Sequence, residues 1–148
     1  MDYGPEFRTK GIVTIEPPKL GSAFPMLVPA VDDDGNELAG IKLPELAVPL
    51  ATYTGWNLFN ANSGPTNEIS SMAGSYIPFP RTRPERSATK DPRRSVAERY
   101  ASREAYLGLL AGAALELIDQ GYLLKQDLAE IVKQAARHWN YRAHASSD

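Results

Sequence analysis

Apolar residues recur at helical spacing in the last third of the chain. The first stripe steps by three and four residues through Tyr106, Leu109, Leu110, Ala113, Leu117 and Ile118. This spacing predicts an amphipathic helix. The helix begins at a capping box formed by Ser95 and Glu98 and ends at Gly121. The second stripe contains Leu128, Ile131, Val132, Ala135, Ala136 and Trp139. The short link around Tyr122–Gln126 predicts that the two helices form an antiparallel hairpin.

The first 90 residues show short apolar runs that proline and glycine interrupt. Eleven of the twelve prolines precede residue 90, and proline cannot donate to a β-ladder. Apolar and β-branched content predicts short extended segments at Gly11–Ile15, Phe24–Val31, Leu38–Leu43 and Leu46–Tyr53. The turn-forming run Asp32–Asn36 predicts a hairpin between the second and the third of them.

These patterns predict an α+β fold, in which an irregular half of strands and loops packs on a C-terminal antiparallel helical hairpin. The length of 148 residues fits a single domain or a domain fragment. Strands and loops are assigned to residues 1–90, helices to 91–142 and a tail to 143–148. The predicted core consists of Ile12, Val13, Ile15, Leu27, Val28, Ile41, Leu50, Trp56, Tyr106, Leu110, Leu117, Ile131, Val132 and Trp139.

Composition and charge restrict the classes of function. A formal net charge of -2 gives no global basic field for nucleic acid. No apolar run approaches the roughly 20 residues that a transmembrane helix needs. The absence of cysteine excludes disulfides and thiolate nucleophiles, and two histidines do not make a multi-histidine metal centre. We therefore expect no nucleic-acid partner, no membrane span, no metal and no cofactor.

Nucleophilic catalysis has weak support in the sequence. A hydrolase serine lies in a Gly-x-Ser-x-Gly turn, and neither Ser22 nor Ser75 has that context. His138 lies beside the second apolar stripe, where packing against the hairpin is a better interpretation than a role as general base. A base at His138 would need a carboxylate such as Glu130 or Asp127. We expect no catalytic residue in this chain.

The acidic turn has two interpretations. Asp32, Asp34 and Asn36 alternate as the oxygen ligands of a calcium loop do. An EF-hand counted from Asp32 would need glycine and glutamate where this chain has Glu37 and Leu43. A hairpin turn is therefore favoured over a metal site.

A basic stretch and an aromatic loop are also ambiguous. From Arg81 to Glu104, eight basic and four acidic residues give a local charge of +4. That excess suits an anion site, although the mixture of charges favours a solvated linker with local salt pairs. The loop Thr52–Asn57 either lines a pocket or is anchored in the core by Trp56.

Several segments carry a family resemblance. They are distributed through residues 2–142 as Asp2–Pro5, Gly11–Ile12, Pro17–Pro18, Leu27–Pro29, Val31–Asp32, Asp34–Glu37, Ala39–Pro44, Val48–Asn57, Gly74–Phe79, Arg81–Arg83, Asp91–Arg93, Glu98–Tyr100 and Leu123–Leu124. The most specific pieces are Ala51–Asn57 and Gly74–Phe79. In these segments the chain resembles the C-terminal portion of the bacterial alpha/beta-hydrolase domain-containing protein family.

The resemblance implies a role without a nucleophile, because in that family the nucleophile elbow and the catalytic histidine lie upstream of the matching region. The chain would then be the non-catalytic region of a secreted or periplasmic esterase-like hydrolase, covering the hydrolase core or shaping its substrate pocket. Its expected partners are the upstream hydrolase domain and, without that domain, further copies of itself. The implied pocket or interface residues are Tyr53, Trp56, Asn57, Tyr76, Arg81 and Arg83.

Two other functions stay open at this point. An independent ligand-binding or interaction module would use the Tyr53–Asn57 loop. A small enzyme would use His138 with a nearby carboxylate. The N-terminus has no apolar region of the kind that a signal peptide needs. The resemblance implies that Met1 is an introduced or fortuitous start rather than the family's own N-terminus.

Overall fold

The computed structural model describes residues 1–22, 25, 27–60, 62, 69–70 and 72–144, without the side chains of residues 143 and 144. Phe24 of the predicted segment Phe24–Val31 and residues 145–148 of the predicted tail lie outside this part. Six helices and four strands occur in the described residues. They are α1 (Phe7–Lys10), α2 (Pro44–Ala47), β1 (Ala51–Thr54), β2 (Asn57–Leu58), β3 (Ile69–Ser70), β4 (Ser75–Pro78), α3 (Arg83–Thr89), α4 (Val96–Arg99), α5 (Arg103–Asp119) and α6 (Leu128–His144).

The described strands form two small antiparallel pairs. β1 pairs with β4 so that Tyr53 lies opposite Tyr76, and β2 pairs with β3. A side chain at Gly74 would bring its Cβ to 2.4 Å from the backbone oxygen of Thr54, so the approach of β4 to β1 requires glycine at that position.

The helical hairpin forms as predicted. Ser102 caps α5 by accepting a hydrogen bond from the backbone N–H of Ala105 at 3.1 Å. At the other end Gly121 has φ 81°, and Tyr122 N–H donates to the Leu117 carbonyl at 2.8 Å. This Schellman-type ending turns the chain towards α6. α5 and α6 then pack together, which confirms the predicted α+β class.

The capping box of Ser95 and Glu98 is also present, but the helix that it begins is short. α4 ends at Arg99, and Tyr100 is extended, with φ -126° and ψ 123°. This conformation lets the buried Tyr100 side chain donate a hydrogen bond to the Pro49 carbonyl at 2.8 Å. The prediction of one continuous helix from Ser95 is therefore wrong, because the tertiary contact of Tyr100 interrupts it.

The core lies between the β1–β4 pair and the helical hairpin. Its cluster contains Leu50, Phe79, Val96, Tyr100, Tyr106, Leu110 and Ala135. Burial confirms the predicted core residues Leu50, Tyr106, Leu110 and Leu117. Ile131 and Trp139 are half-buried and pack against the cluster, while Ile15, Trp56 and Val132 are half-buried elsewhere.

The N-terminal part of the predicted core is wrong. Ile12, Val13, Leu27, Val28 and Ile41 are all exposed. The predicted segments Gly11–Ile15 and Leu38–Leu43 are not strands, because no ladder in the described residues pairs with them. Of Leu46–Tyr53, only Ala51–Tyr53 is in a strand, and Leu46 and Ala47 end α2.

The predicted turn at Asp32–Asn36 is confirmed. Its predicted flanking strands are not formed in the described residues, and a single antiparallel bridge between Val31 and Glu37 stands in their place. Asp32 N–H donates to the Asn36 carbonyl at 2.8 Å, and the Asp32 carboxylate accepts hydrogen bonds from the backbone of Asp34 and Asn36. Asn36 is only 1% exposed. Its side-chain amide N–H donates a hydrogen bond to the Ala51 carbonyl at 3.2 Å, and its side-chain oxygen accepts one from the backbone N–H of Tyr53 at 2.7 Å. The turn therefore docks on β1.

Two absences apply to the part of the chain that the structure describes. No group of histidine, aspartate and glutamate side chains there is arranged to hold a metal ion. No helix there combines the length and the apolar content needed to cross a membrane.

Candidate functional site

A cavity of about 530 Å³ lies where α2, the β1–β4 pair, α5 and α6 meet. We call it the tyrosine–histidine cavity. Its polar lining consists of Glu45, Tyr53, Tyr76, Tyr106, Gln134 and His138. Leucine, isoleucine, proline and alanine side chains complete the wall. The volume and the mixed lining are typical of a small-molecule site.

Strand pairing and helix packing bring the reactive groups of the cavity together. The register of β1 and β4 places Tyr53 and Tyr76 side by side, with ring centroids 5.5 Å apart. α6 places His138 next to them, and its Nε2 lies 2.6 Å from the Tyr76 hydroxyl oxygen. The stack of Trp139 on Tyr106, at 5.1 Å between centroids, holds α6 at this position.

Burial sets the protonation of these groups. Desolvation lowers the pKa of His138 below its ordinary value, the Arg142 charge lowers it further, and Glu45 opposes the shift. Desolvation also raises the pKa of Tyr76 and of Tyr53. At neutral pH the imidazole is therefore uncharged and both hydroxyls keep their protons. A neutral imidazole has one accepting nitrogen, so the Tyr76 hydroxyl is suited to donate to Nε2.

Two donors on or next to β1 have no partner among the described residues. They are the buried hydroxyl of Tyr53 and the buried indole N–H of Trp56. A buried donor without a partner costs about 1–3 kcal/mol. These two groups are therefore hydrogen-bond donors that remain available on this part of the sheet. The Nε of Arg142 is a third buried donor without a partner in the described residues.

The chemistry that the cavity offers is proton transfer and aromatic contact. None of its described lining residues is serine, threonine or cysteine. The hydroxyl of Ser75, on β4, donates to the Trp56 carbonyl at 3.1 Å. Acyl transfer of the kind that serine and cysteine hydrolases perform needs a serine, threonine or cysteine beside the base, and the described lining of this cavity contains none.

The structure distributes the predicted site residues over several places. Tyr53 and Tyr76 line the tyrosine–histidine cavity together. Arg81 lines a second cavity, formed by α3, α4 and α6. Trp56 is half-buried after β1, Asn57 is exposed on β2, and Arg83 is exposed in the first turn of α3.

The carboxylate beside His138 is not one that the sequence suggested. Glu130 forms ion pairs with Lys133 and Arg137, and neither Glu130 nor Asp127 lines the cavity. The acidic residue in the cavity wall is Glu45, which α2 places there. No pattern in the sequence links Glu45 to His138, because tertiary packing alone brings them together.

The basic stretch has a structural role along most of its length. Arg93 pairs with Asp91 at 2.5 Å, and its hydrogen bonds to that carboxylate lower the pKa of Asp91. Arg99 pairs with Asp34 of the acidic turn, and the guanidinium groups of Arg93 and Arg99 lie over the buried ring of Phe79. The predicted salt pairs are present, and one of them, between Arg99 and Asp34, is long-range. Part of the predicted linker is helical, because it forms α3.

Comparison with known proteins assigns the family. A family model described as an alpha/beta hydrolase domain matches residues 6–133, which is most of the chain. No curated protein and no solved structure matches the chain. The family match spans α1, all four described strands, α5 and the first turns of α6. This chain therefore belongs to the alpha/beta hydrolase domain family.

Proposed function

We propose that this chain is the non-catalytic C-terminal region of an esterase-like alpha/beta hydrolase, where it covers the hydrolase core and shapes the substrate pocket. One observation carries the proposal. The tyrosine–histidine cavity has a neutral base hydrogen-bonded to Tyr76 and aromatic walls, but no serine, threonine or cysteine among its described lining residues. Such a cavity is suited to bind and orient a substrate that another segment attacks.

The strands support the same conclusion. An alpha/beta hydrolase presents its serine on a sharp strand-to-helix turn at the top of its central sheet. The described strands are two to four residues long and pair only antiparallel in twos. Neither pair provides a turn of that kind, so we place the nucleophile of the whole enzyme in a separate, upstream hydrolase domain.

Apolar surface indicates where that domain docks. In the N-terminal half Leu27 is 88% exposed and Leu20 is 83% exposed. On α5 Leu109 is 56% exposed, and a side chain added at Gly108 or Gly112 would meet open space. We take these exposed apolar side chains to belong to the surface that the hydrolase domain covers.

The character of α5 favours the hydrolase core as the occupant. One side of the helix is buried through Tyr106, Leu110 and Leu117. The other side is also apolar, with Leu109 and Leu115 exposed. From Ala105 to Leu115 the helix carries no charged side chain, a pattern that is typical of a helix in the interior of a larger protein. We therefore expect α5 to lie between the helical hairpin and the hydrolase core.

Co-expression with the upstream hydrolase domain of a longer family member tests the proposal. We expect the two parts to copurify in a 1:1 complex. Leu109→Lys should weaken the complex at least tenfold, since a lysine would be buried in an apolar interface. Leu124→Lys is the matched control, because Leu124 is 62% exposed in the link before α6 and lies off the α5 surface.

Two results would contradict the proposal. Either the two parts fail to copurify, or Leu109→Lys and Leu124→Lys bind the hydrolase domain equally well. Circular dichroism of each variant confirms that the helices are retained.

A further inference from the structure

A second cavity, of about 610 Å³, lies where α3, α4 and the C-terminal turns of α6 meet. We call it the arginine cavity. The proposed function does not use it. The side chains that decide its chemistry are Arg81, Glu85, Tyr100, Trp139 and Arg142.

The charges around the arginine cavity leave one cation without a carboxylate. Glu85 accepts hydrogen bonds from the backbone N–H and the Nε of Arg81, at 2.9 and 3.3 Å. Arg142 donates through Nη2 to the Phe79 carbonyl at 2.6 Å, a neutral acceptor. Within the described residues, no carboxylate forms an ion pair with Arg142, and none accepts a hydrogen bond from its Nη1. Two cations and one anion in the lining therefore leave a net charge of +1.

The remaining lining is apolar and aromatic. Val96 and Tyr100 are buried in the floor, and Trp139 forms part of the wall through a ring that is stacked on Tyr106. The Phe79 carbonyl fixes the Arg142 guanidinium at the cavity, so less side-chain entropy is lost when a ligand binds. A guanidinium with free N–H groups matches the geometry of a carboxylate.

We infer that the arginine cavity binds a small organic carboxylate. The carboxylate group pairs with Arg142, and the apolar body of the ligand lies against Tyr100 and Trp139. A single net positive charge and an apolar wall fit a monoanion with a hydrocarbon body better than a phosphate dianion. This inference does not depend on the proposed function, because it uses neither the tyrosine–histidine cavity nor the α5 surface.

Tryptophan fluorescence gives a direct readout of the arginine cavity. The chain has two tryptophans, so Trp56→Phe leaves Trp139 as the only one. The probe is cyclohexanecarboxylate, which does not absorb at the excitation wavelength, and cyclohexanecarboxamide is the uncharged control of the same shape. We expect a saturable change with the acid and at least tenfold weaker binding of the amide, at constant ionic strength. Calorimetric titration of the unmodified chain repeats the measurement without a tryptophan substitution.

Variants separate the site from general charge effects. Arg142→Gln is expected to weaken binding of the acid at least tenfold, and Arg81→Gln to weaken it severalfold. Arg137→Gln, on the same helix but outside the cavity lining, should bind as the parent chain does. Thermal unfolding identifies any variant that fails to fold. If Arg142→Gln does not fold, Arg81→Gln still tests the inference.

Several outcomes would overturn the inference. The acid and the amide bind equally, inorganic phosphate binds as tightly as the acid, or the folded Arg142 and Arg81 variants bind like the parent. Absence of saturation by about 10 mM would also overturn it, since a ligand of about nine non-hydrogen atoms reaches that affinity at ordinary ligand efficiency.

Discussion

At the scale of single residues, the hydrogen bond between Tyr76 and His138 determines what the tyrosine–histidine cavity can do. The 2.6 Å contact orients the imidazole, and burial keeps it uncharged. A neutral imidazole hydrogen-bonded to a tyrosine adds an uncharged polar group to the pocket wall, so it can orient a bound substrate. The pair therefore links the pocket-shaping role to a measurable titration.

His138 should titrate below its ordinary pKa of 6.5. His144→Gln leaves His138 as the only histidine, so NMR of the imidazole protons reports it alone. Arg142→Gln should raise the pKa of His138, because the positive charge of Arg142 lowers it. Arg137→Gln, on the same helix and outside the cavity lining, is the control.

The sign of the linked stability follows from the same shift. The unfolded chain takes up a proton near pH 6.5 and the folded chain only at lower pH, so His138 lowers stability as the pH falls below 6.5. A His138 pKa at or above 6.5, or one that Arg142→Gln leaves unchanged, would contradict this description of the cavity.

At the scale of secondary structure elements, local signals placed the helical part after residue 91, and a tertiary contact determined where it breaks. The helices α1, α2 and α3 lie in residues 1–90, which were predicted as strands and loops. The Ser95 capping box and the Gly121 ending are satisfied within a few residues, so the sequence predicts them. The end of α4 depends on the contact of Tyr100 with Pro49, 51 residues away in sequence. Periodicity cannot show such a contact.

Ser95→Ala should lower the free energy of unfolding by about 1 kcal/mol, the usual contribution of an N-cap. Hydrogen bonds from the Ser95 side chain and backbone lower the pKa of Glu98 to about 2, so the variant should return it towards 4.5. Urea unfolding and NMR titration of the carboxyl group measure the two effects. Ser87→Ala, on the exposed surface of α3, should change neither.

The pH dependence of stability offers a result that could contradict the prediction for Ser95→Ala. The low pKa of Glu98 stabilises the fold above about pH 4.5, and this contribution is lost as the pH falls towards about 2. Ser95→Ala should remove that part of the acid sensitivity. An unchanged acid transition would show that Ser95 does not hold the carboxylate.

The strands illustrate what could not be predicted from the sequence. Proline-interrupted apolar runs predict extended chain, but only a partner strand makes it a sheet. β1 found such a partner in β4, whereas Gly11–Ile15 found none in the described residues. Tyr53 and Tyr76 entered the candidate site through the family resemblance. Their neighbour His138 was considered from the sequence with the wrong carboxylates, because Glu45 reaches the cavity only through packing.

At the scale of the whole molecule, exposed apolar side chains and a cavity without a nucleophile have one common explanation. Leu20, Leu27 and Leu109 would be buried against a hydrolase core, and the tyrosine–histidine cavity would open towards the serine of that core. In the proposed assembly the predicted N-terminal core residues would be interface residues, which would account for their exposure in the isolated chain.

Hydrolysis of p-nitrophenyl butyrate by the purified chain tests the central claim most directly. We predict that the unmodified chain and His138→Ala hydrolyse the ester at the same slow rate, since the described cavity has a base but no nucleophile. Saturable turnover by the unmodified chain that His138→Ala abolishes would contradict the account. It would make His138 a catalytic base and this chain an enzyme in its own right.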